Sequence, residues 1–177
     1  MWHQGLFYKL REICIDSTLL KAIKELYTDT YSSAKYNGLQ SKSFFVRQGC
    51  PQGRKCSPIM YLVYIDGLVR RIEDCGLGLC IYGLKMYSPT VADDMLLMSF
   101  SKAGMDGLLD ICWKYSITWR FFYNPEKCKI VVFNEKTSPL QNRIFTLGPN
   151  VISETDNYSH LGVMCSQHLS SKDSIVI

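Results

Sequence analysis

The sequence predicts an α+β fold, with helices packed on one face of a small antiparallel sheet. Three observations carry that expectation. Apolar residues recur at helical spacing near the start, again after Ser57 and again after Met105. Short apolar runs bounded by Gly, Pro and Asn fill the intervals and the C-terminal third, which is how strands and turns read. The order that results is helix, helix, helix, hairpin, helix, strands.

Taken in turn, Leu6, Leu10 and Ile13 mark the first helix. Ser17 is the expected N-cap of a second, which carries Leu19, Leu20, Ile23, Leu26 and Tyr27 and stops before the Asn37-Gly38 turn signal. Leu39 to Val46 is expected to be extended, and Gln48 to Gly53 is too rich in Gly and Pro for regular structure. Ser57-Pro58 predicts a helix start, with Ser57 as the cap and Pro58 in the first turn. That helix is apolar over most of its girth from Ile59 to Ile72, so it should be largely buried, with Glu73 and Asp74 a solvated end. Leu79 to Leu84 reads as one strand. Thr90-Val91 and Met95 to Ser99 flank two acids, and the arrangement predicts a β-hairpin with carboxylates at its tip. Met105 to Trp119 reads as helix, with Trp119 and Phe122 on its core side. Ile130 to Phe133, Arg143 to Leu147 and Tyr158 to Val163 read as strands.

The chain has 177 residues, 47% of them hydrophobic, which is enough for a genuine core and argues against disorder. Net charge is only +4, so any case for nucleic acid rests on where the charge sits. Arg47, Arg54 and Lys55 cluster around one turn; Lys114, Arg120, Lys127 and Lys129 form a second group. The eight cysteines show no CxxC pair, and Trp2 to Gly5 does not open a secretory leader. Free thiols in a reducing compartment, cytoplasm or nucleus, are expected. His160, Cys165 and His168 form a weak zinc pattern with no clear fourth ligand. No apolar run is long enough to cross a membrane.

Two segments carry chemistry. Adjacent carboxylates such as Asp93 and Asp94 repel one another, and next to apolar strands that repulsion is costly. A hard divalent cation would offset it, since Mg²⁺ takes carboxylate and phosphate oxygen. Neighbouring strand residues point to opposite faces, but at a hairpin turn both acids can approach one site. The bland alternative is an acidic turn in solvent. Upstream, Gln52-Gly53 followed by Ser57-Pro58 gives a Gly-rich loop feeding a helix N-terminus, a setting that can cradle phosphate. Its bland alternative is an ordinary loop and cap.

The ordered set of segments resembles the reverse transcriptases of non-LTR (LINE-type) retrotransposons. Gln52-Gly53, Ser57-Pro58 and Tyr64-Ile65-Asp66-Gly67-Leu68 resemble motif B of that family, and Ala92-Asp93-Asp94 resembles motif C. Tyr115 to Trp119, Asn124, Lys127 and the strand to Phe133 resemble motif D, and Tyr158 to Val163 resembles motif E, the primer grip. The resemblance implies a partial polymerase palm over residues 1–165 and a polar tail over 166–177. It implies RNA-templated DNA synthesis by two-metal nucleotidyl transfer, with RNA template, DNA primer and deoxynucleoside triphosphates as partners and no membrane. Asp93 and Asp94 would hold Mg²⁺. Lys127 would protonate the departing pyrophosphate. Gln52, Gly53, Arg54 and Ser57 would line the template and nucleotide pocket, and Leu161 and Gly162 the primer grip.

Some residues depart from the family pattern. Val91 stands where an aromatic is usual, and Pro51 where a basic residue is common. Arg54-Lys55-Cys56 replaces small or apolar residues, so long basic side chains there either obstruct the pocket or contact phosphate. Trp2-His3-Gln4-Gly5-Leu6 resembles the segment after motif A, whose aspartate would precede Met1. This chain alone is therefore expected to be catalytically incomplete. The alternatives are a non-catalytic nucleic-acid-binding fragment and a functionless retrotransposon relic.

Overall fold

The computed structural model describes residues 1–51, 53–133, 143–161 and 163–167, in two compact units. The first consists of Met1–Gly67 and Trp119–Phe121. It opens with α1 (His3–Glu12), whose Leu6, Phe7 and Leu10 are buried. In α2 (Ser17–Tyr27) the cap is Asp16, one residue before the expected Ser17. The Asp16 carboxylate accepts from the Thr18 and Leu19 amides at 2.9 and 3.1 Å, and those bonds lower its pKa. A charged acceptor outbids a serine here because it also answers the positive end of the helix dipole.

After α2 the chain makes a ribbon from β1 (Tyr31–Ser32), β2 (Lys35–Tyr36), β3 (Leu39–Gln40) and β4 (Phe44–Phe45). β2 pairs antiparallel with β3, and β1 with β4. Asn37 and Gly38 turn it with φ of 45° and 78°, the double left-handed turn that Asn-Gly favours. α3 (Ser57–Asp74) follows. It is less buried than its composition predicts: Met60, Tyr64, Ile65, Leu68 and Ile72 are inside, but Ile59 and Leu62 are more than half exposed. The core of this unit joins Leu6, Phe7, Leu10, Ile23, Tyr27, Met60 and Tyr64, with Trp2, Trp119 and Phe121 against it.

The second unit consists of Leu68–Thr118 and the described residues from Phe122 on. Leu79 to Leu84 is not one strand but the hairpin of β5 (Leu79–Ile81) and β6 (Leu84–Met86), turned by Tyr82 and Gly83 at φ 48° and 81°. β7 (Thr90–Val91) and β8 (Asp94–Met95) form the next hairpin. α4 (Lys102–Trp119) buries Leu108, Leu109, Cys112 and Tyr115. Phe122 is 85% exposed, contrary to the core reading, because the helix ends at Trp119 and Arg120 turns away at φ 54°.

Then come β9 (Lys129–Ile130), β10 (Phe145–Leu147), β11 (Asn150–Glu154), β12 (Asn157–His160) and β13 (Val163–Ser166). β12 and β13 again divide what reads as one strand, with Leu161 in the turn at φ 51°. The α+β class holds. The single antiparallel sheet does not: the described strands fall into six small sheets, and β11 pairs with β9 in parallel. The strands are only two to five residues long, and most pair with their nearest neighbour along the chain. All eight cysteines are free. No helix among the described residues is long and apolar enough to cross a membrane.

Candidate active site

The carboxylate pair sits where the sequence predicts, at the corner of β7 and β8. Val91 pairs with Asp94 and Thr90 with Met95, leaving Ala92-Asp93 as a two-residue turn. The pairing runs on as Leu96 donates to the Pro89 carbonyl and Met98 to that of Tyr87, both at 3.0 Å. Leu79 then donates to the Met98 carbonyl at 2.9 Å, tying the β5 strand to the returning arm. Tyr87 is buried with its ring against Gly78, where any β-carbon would collide with it. Met95 to Met98 are half-buried. The arms are thus fixed while Asp93 and Asp94 stand exposed at the tip.

Ala92 adopts φ 53°, a left-handed conformation that costs an L-residue about 1 kcal/mol. Among the described residues neither carboxylate has a hydrogen bond or ion pair. Their donor set is hard oxygen, which suits Mg²⁺. No group of three or more potential metal ligands forms among the described residues. The zinc pattern is not assembled there either; His168 lies outside the described residues.

The Gln48 to Ser57 loop, in the first unit, is held from several sides. Trp2 bridges to Gln48, Gly49 donates its N–H to the Met1 carbonyl at 2.8 Å, and His3 Nε2 lies 3.1 Å from the Gly49 carbonyl. Burial, ahead of any other influence, pushes the His3 pKa down. The Cys50 thiol donates to the Ser57 carbonyl at 3.3 Å. Ser57 is buried inside the first turn of α3, and its hydroxyl donates to the Pro51 carbonyl at 2.6 Å. It is therefore not the N-cap; Met60 bonds back to the Cys56 carbonyl, so the helix starts one residue earlier. Arg54 donates from Nη1 to the Leu26 carbonyl at 2.8 Å, where a cation complements the C-terminal end of α2. Gly53 takes φ 82°, and a β-carbon there would meet nothing within 4 Å. Gln52 lies outside the described residues.

Lys127 stands in the second unit, exposed, after the Asn124 turn. With Lys129, Thr155, Asn157, Tyr158, Ser159 and Met164 it lines a cleft of about 430 Å³. The motif-D-like lysine and the motif-E-like strand therefore share one wall. Leu161 is 54% exposed at the β12–β13 turn, and Gly162 lies outside the described residues. Of the second basic group, Lys114 pairs with Asp110 at 2.6 Å and Arg120 lies 4.3 Å from the Trp2 ring centroid. Only Lys127 and Lys129 of that group meet in the cleft.

Residues 1–165 match the family described as reverse transcriptase (RNA-dependent DNA polymerase). The chain belongs to that family. The RNA-directed DNA polymerase from mobile element jockey of Drosophila funebris is 24% identical over 181 residues, covering 99% of this chain and 19% of that protein. The retrovirus-related Pol polyprotein from type-1 retrotransposable element R2 of Popillia japonica is 24% identical over 180 residues, covering 98% of this chain and 30% of its own length. The polyprotein from type-2 element R2DM of Drosophila melanogaster is 23% identical over 168 residues, with 91% and 16% covered. The chain thus spans less than a third of these relatives. They are proteins of mobile elements, in agreement with the type of reverse transcriptase the motifs resemble.

Sequence reasoning missed the two structural keys of the first unit. Tyr64, 1% exposed, accepts from the Trp2 N–H at 3.2 Å and donates to the Trp119 carbonyl, so one hydroxyl joins three distant stretches of chain. His3 holds the motif-B-like loop. Neither set of contacts has a local signal, because the partners lie more than 40 positions away.

Proposed function

We propose that residues 1–165 are palm sequence of a mobile-element RNA-directed DNA polymerase, and that Asp93 and Asp94 are two of the acids that serve its metal site. The single observation behind this reading is the hydrogen-bonded hairpin that presents two adjacent, exposed carboxylates. Mg²⁺ held there would activate a primer 3′-hydroxyl and offset charge on the leaving pyrophosphate. Gln52 and Gly53 serve the template and the incoming nucleotide, and the open space at Gly53 lets a ligand approach the backbone. Arg54 and Ser57 shape that loop from behind through Leu26 and Pro51. Lys127 supplies a proton to pyrophosphate, and Leu161 and Gly162 contact the primer. The partners are RNA template, DNA primer and deoxynucleoside triphosphates.

We infer that the carboxylate pair by itself does not complete the reaction, because the motif that Ala92-Asp93-Asp94 resembles supplies two of the three acids that the family uses. Primer extension on an RNA template with Mg²⁺ should show no synthesis; template-dependent product that disappears in Asp93→Ala would overturn this. Deoxynucleoside triphosphate binding, followed by calorimetry, should require Mg²⁺ and be lost in the double variant Asp93→Asn/Asp94→Asn. Equal, Mg²⁺-dependent binding by that variant would contradict the metal assignment. The second reading, a nucleic-acid binder without catalysis, is favoured by the paired lysines of the 430 Å³ cleft.

A further inference from the structure

The register of the β1–β4 ribbon shifts by one residue between its tip and its base. At the tip, Tyr36 pairs with Leu39 and Lys35 with Gln40; at the base, Ser32 pairs with Phe44 and Tyr31 with Phe45. The partner numbers sum to 75 at the tip and 76 at the base, so the returning strand carries one extra residue near Lys42-Ser43. Without it, Phe45 would stand on the opposite face from Tyr31. With it, Tyr31 and Phe45 lie side by side, ring centroids 5.4 Å apart. Their face also carries Lys35 and Gln40, and Gln40 is fixed by a 2.8 Å bond to Ser33 Oγ. Arg47 lies 6.0 Å from the Phe45 ring centroid.

We propose that this face binds single-stranded nucleic acid, with bases stacking on the Tyr31–Phe45 pair and Lys35, Lys42 and Arg47 meeting phosphates. The charge complements that occupant: the stretch from Thr30 to Arg47 holds three cations and no Asp or Glu. The aromatic pair is available to it, with Tyr31 63% and Phe45 43% exposed. Base stacking on exposed aromatics flanked by cations is the general chemistry of sequence-tolerant strand binding. The side-chain amide of Gln40 adds a polar group at the tip. The inference rests on the reading that the chain handles nucleic acid, but assigns that contact to a surface separate from the carboxylate hairpin.

The test uses the full chain and a fluorescent oligouridylate of about 15 nucleotides, a length near the upper site size of a single strand-binding fold. Tyr31→Ala/Phe45→Ala should weaken binding about tenfold or more. Lys35→Gln/Arg47→Gln should reduce the slope of log affinity against log salt by about 1.4, or about 0.7 for each phosphate no longer neutralised. All four positions are exposed, and circular dichroism should show the variants folded as the parent is. Undiminished binding by both ribbon variants overturns the inference and leaves the polymerase reading intact. A parent chain that binds no oligonucleotide overturns the ribbon assignment, and the Mg²⁺-dependent nucleotide binding above then judges the polymerase reading separately. Self-association that depends on Tyr31 and Phe45 and is not relieved by oligonucleotide overturns it in favour of a second copy.

Discussion

The Gln48 to Ser57 loop and the β7–β8 hairpin both carry a family-like motif, yet their polar groups are used in opposite ways. In the loop, the polar side chains of Cys50, Arg54 and Ser57 each bond to a protein carbonyl. Arg54 closes the end of α2, Ser57 closes on Pro51, and His3 reaches in to Gly49. On the hairpin, backbone bonds and the buried Tyr87 do the fixing, and the two carboxylates are left over. Groups with no internal role on a rigid frame are the ones available to a ligand. Substitution should therefore cost stability in the loop and its supports, and ligand binding on the hairpin.

The largest stability effect is expected at Tyr64, which ties the start of the chain to Trp119. Tyr64→Phe removes both bonds to these part-buried backbone groups and should cost about 1–3 kcal/mol, read as a lower urea midpoint at unchanged slope. Next is the loop's histidine. Burial depresses the His3 pKa below its ordinary 6.5, so the unfolded chain takes up the proton first. Its contribution is present above about pH 6.5 and is lost as pH falls through the folded-state pKa. Thermal melts of the parent between pH 7.5 and 5 should show that loss, and His3→Gln should flatten it. A parent and variant with the same pH slope would break the claim that His3 supports the loop.

Arg54→Ala should cost about 1 kcal/mol by releasing the Leu26 carbonyl. A neutral result, with weaker nucleotide binding instead, would move Arg54 from the loop's frame to its ligand. The smallest effect is expected at the hairpin corner. Ala92→Gly should raise stability by about 0.5–1 kcal/mol by relieving φ 53°, at some cost in unfolded-chain entropy, without changing either aspartate.

The hairpin was legible because two acids between apolar runs leave few other arrangements. The long helices were legible from periodicity, with caps displaced by one residue where Asp16 and Cys56 replaced the expected serines. The divided strands were not legible, because Tyr82 and Leu161 take left-handed turn positions that ordinarily go to Gly or Asn. Neither was the parallel pairing of β9 with β11, whose register joins Lys129 to Ser153 across intervening chain. At the candidate site, the sequence left two roles open for Arg54, and the bond to the Leu26 carbonyl is a contact that neither of them includes. The cleft around Lys127 needed the fold to bring in Thr155 and Asn157.

The most direct measurement is a titration of the isotopically labelled chain with Mn²⁺, followed by NMR. Paramagnetic broadening should begin at the amides around Ala92 to Met95 and vanish in Asp93→Asn/Asp94→Asn. Broadening that starts elsewhere, or that persists at the corner without the two carboxylates, would contradict the assignment of the β7–β8 hairpin as a metal-binding part of a polymerase palm.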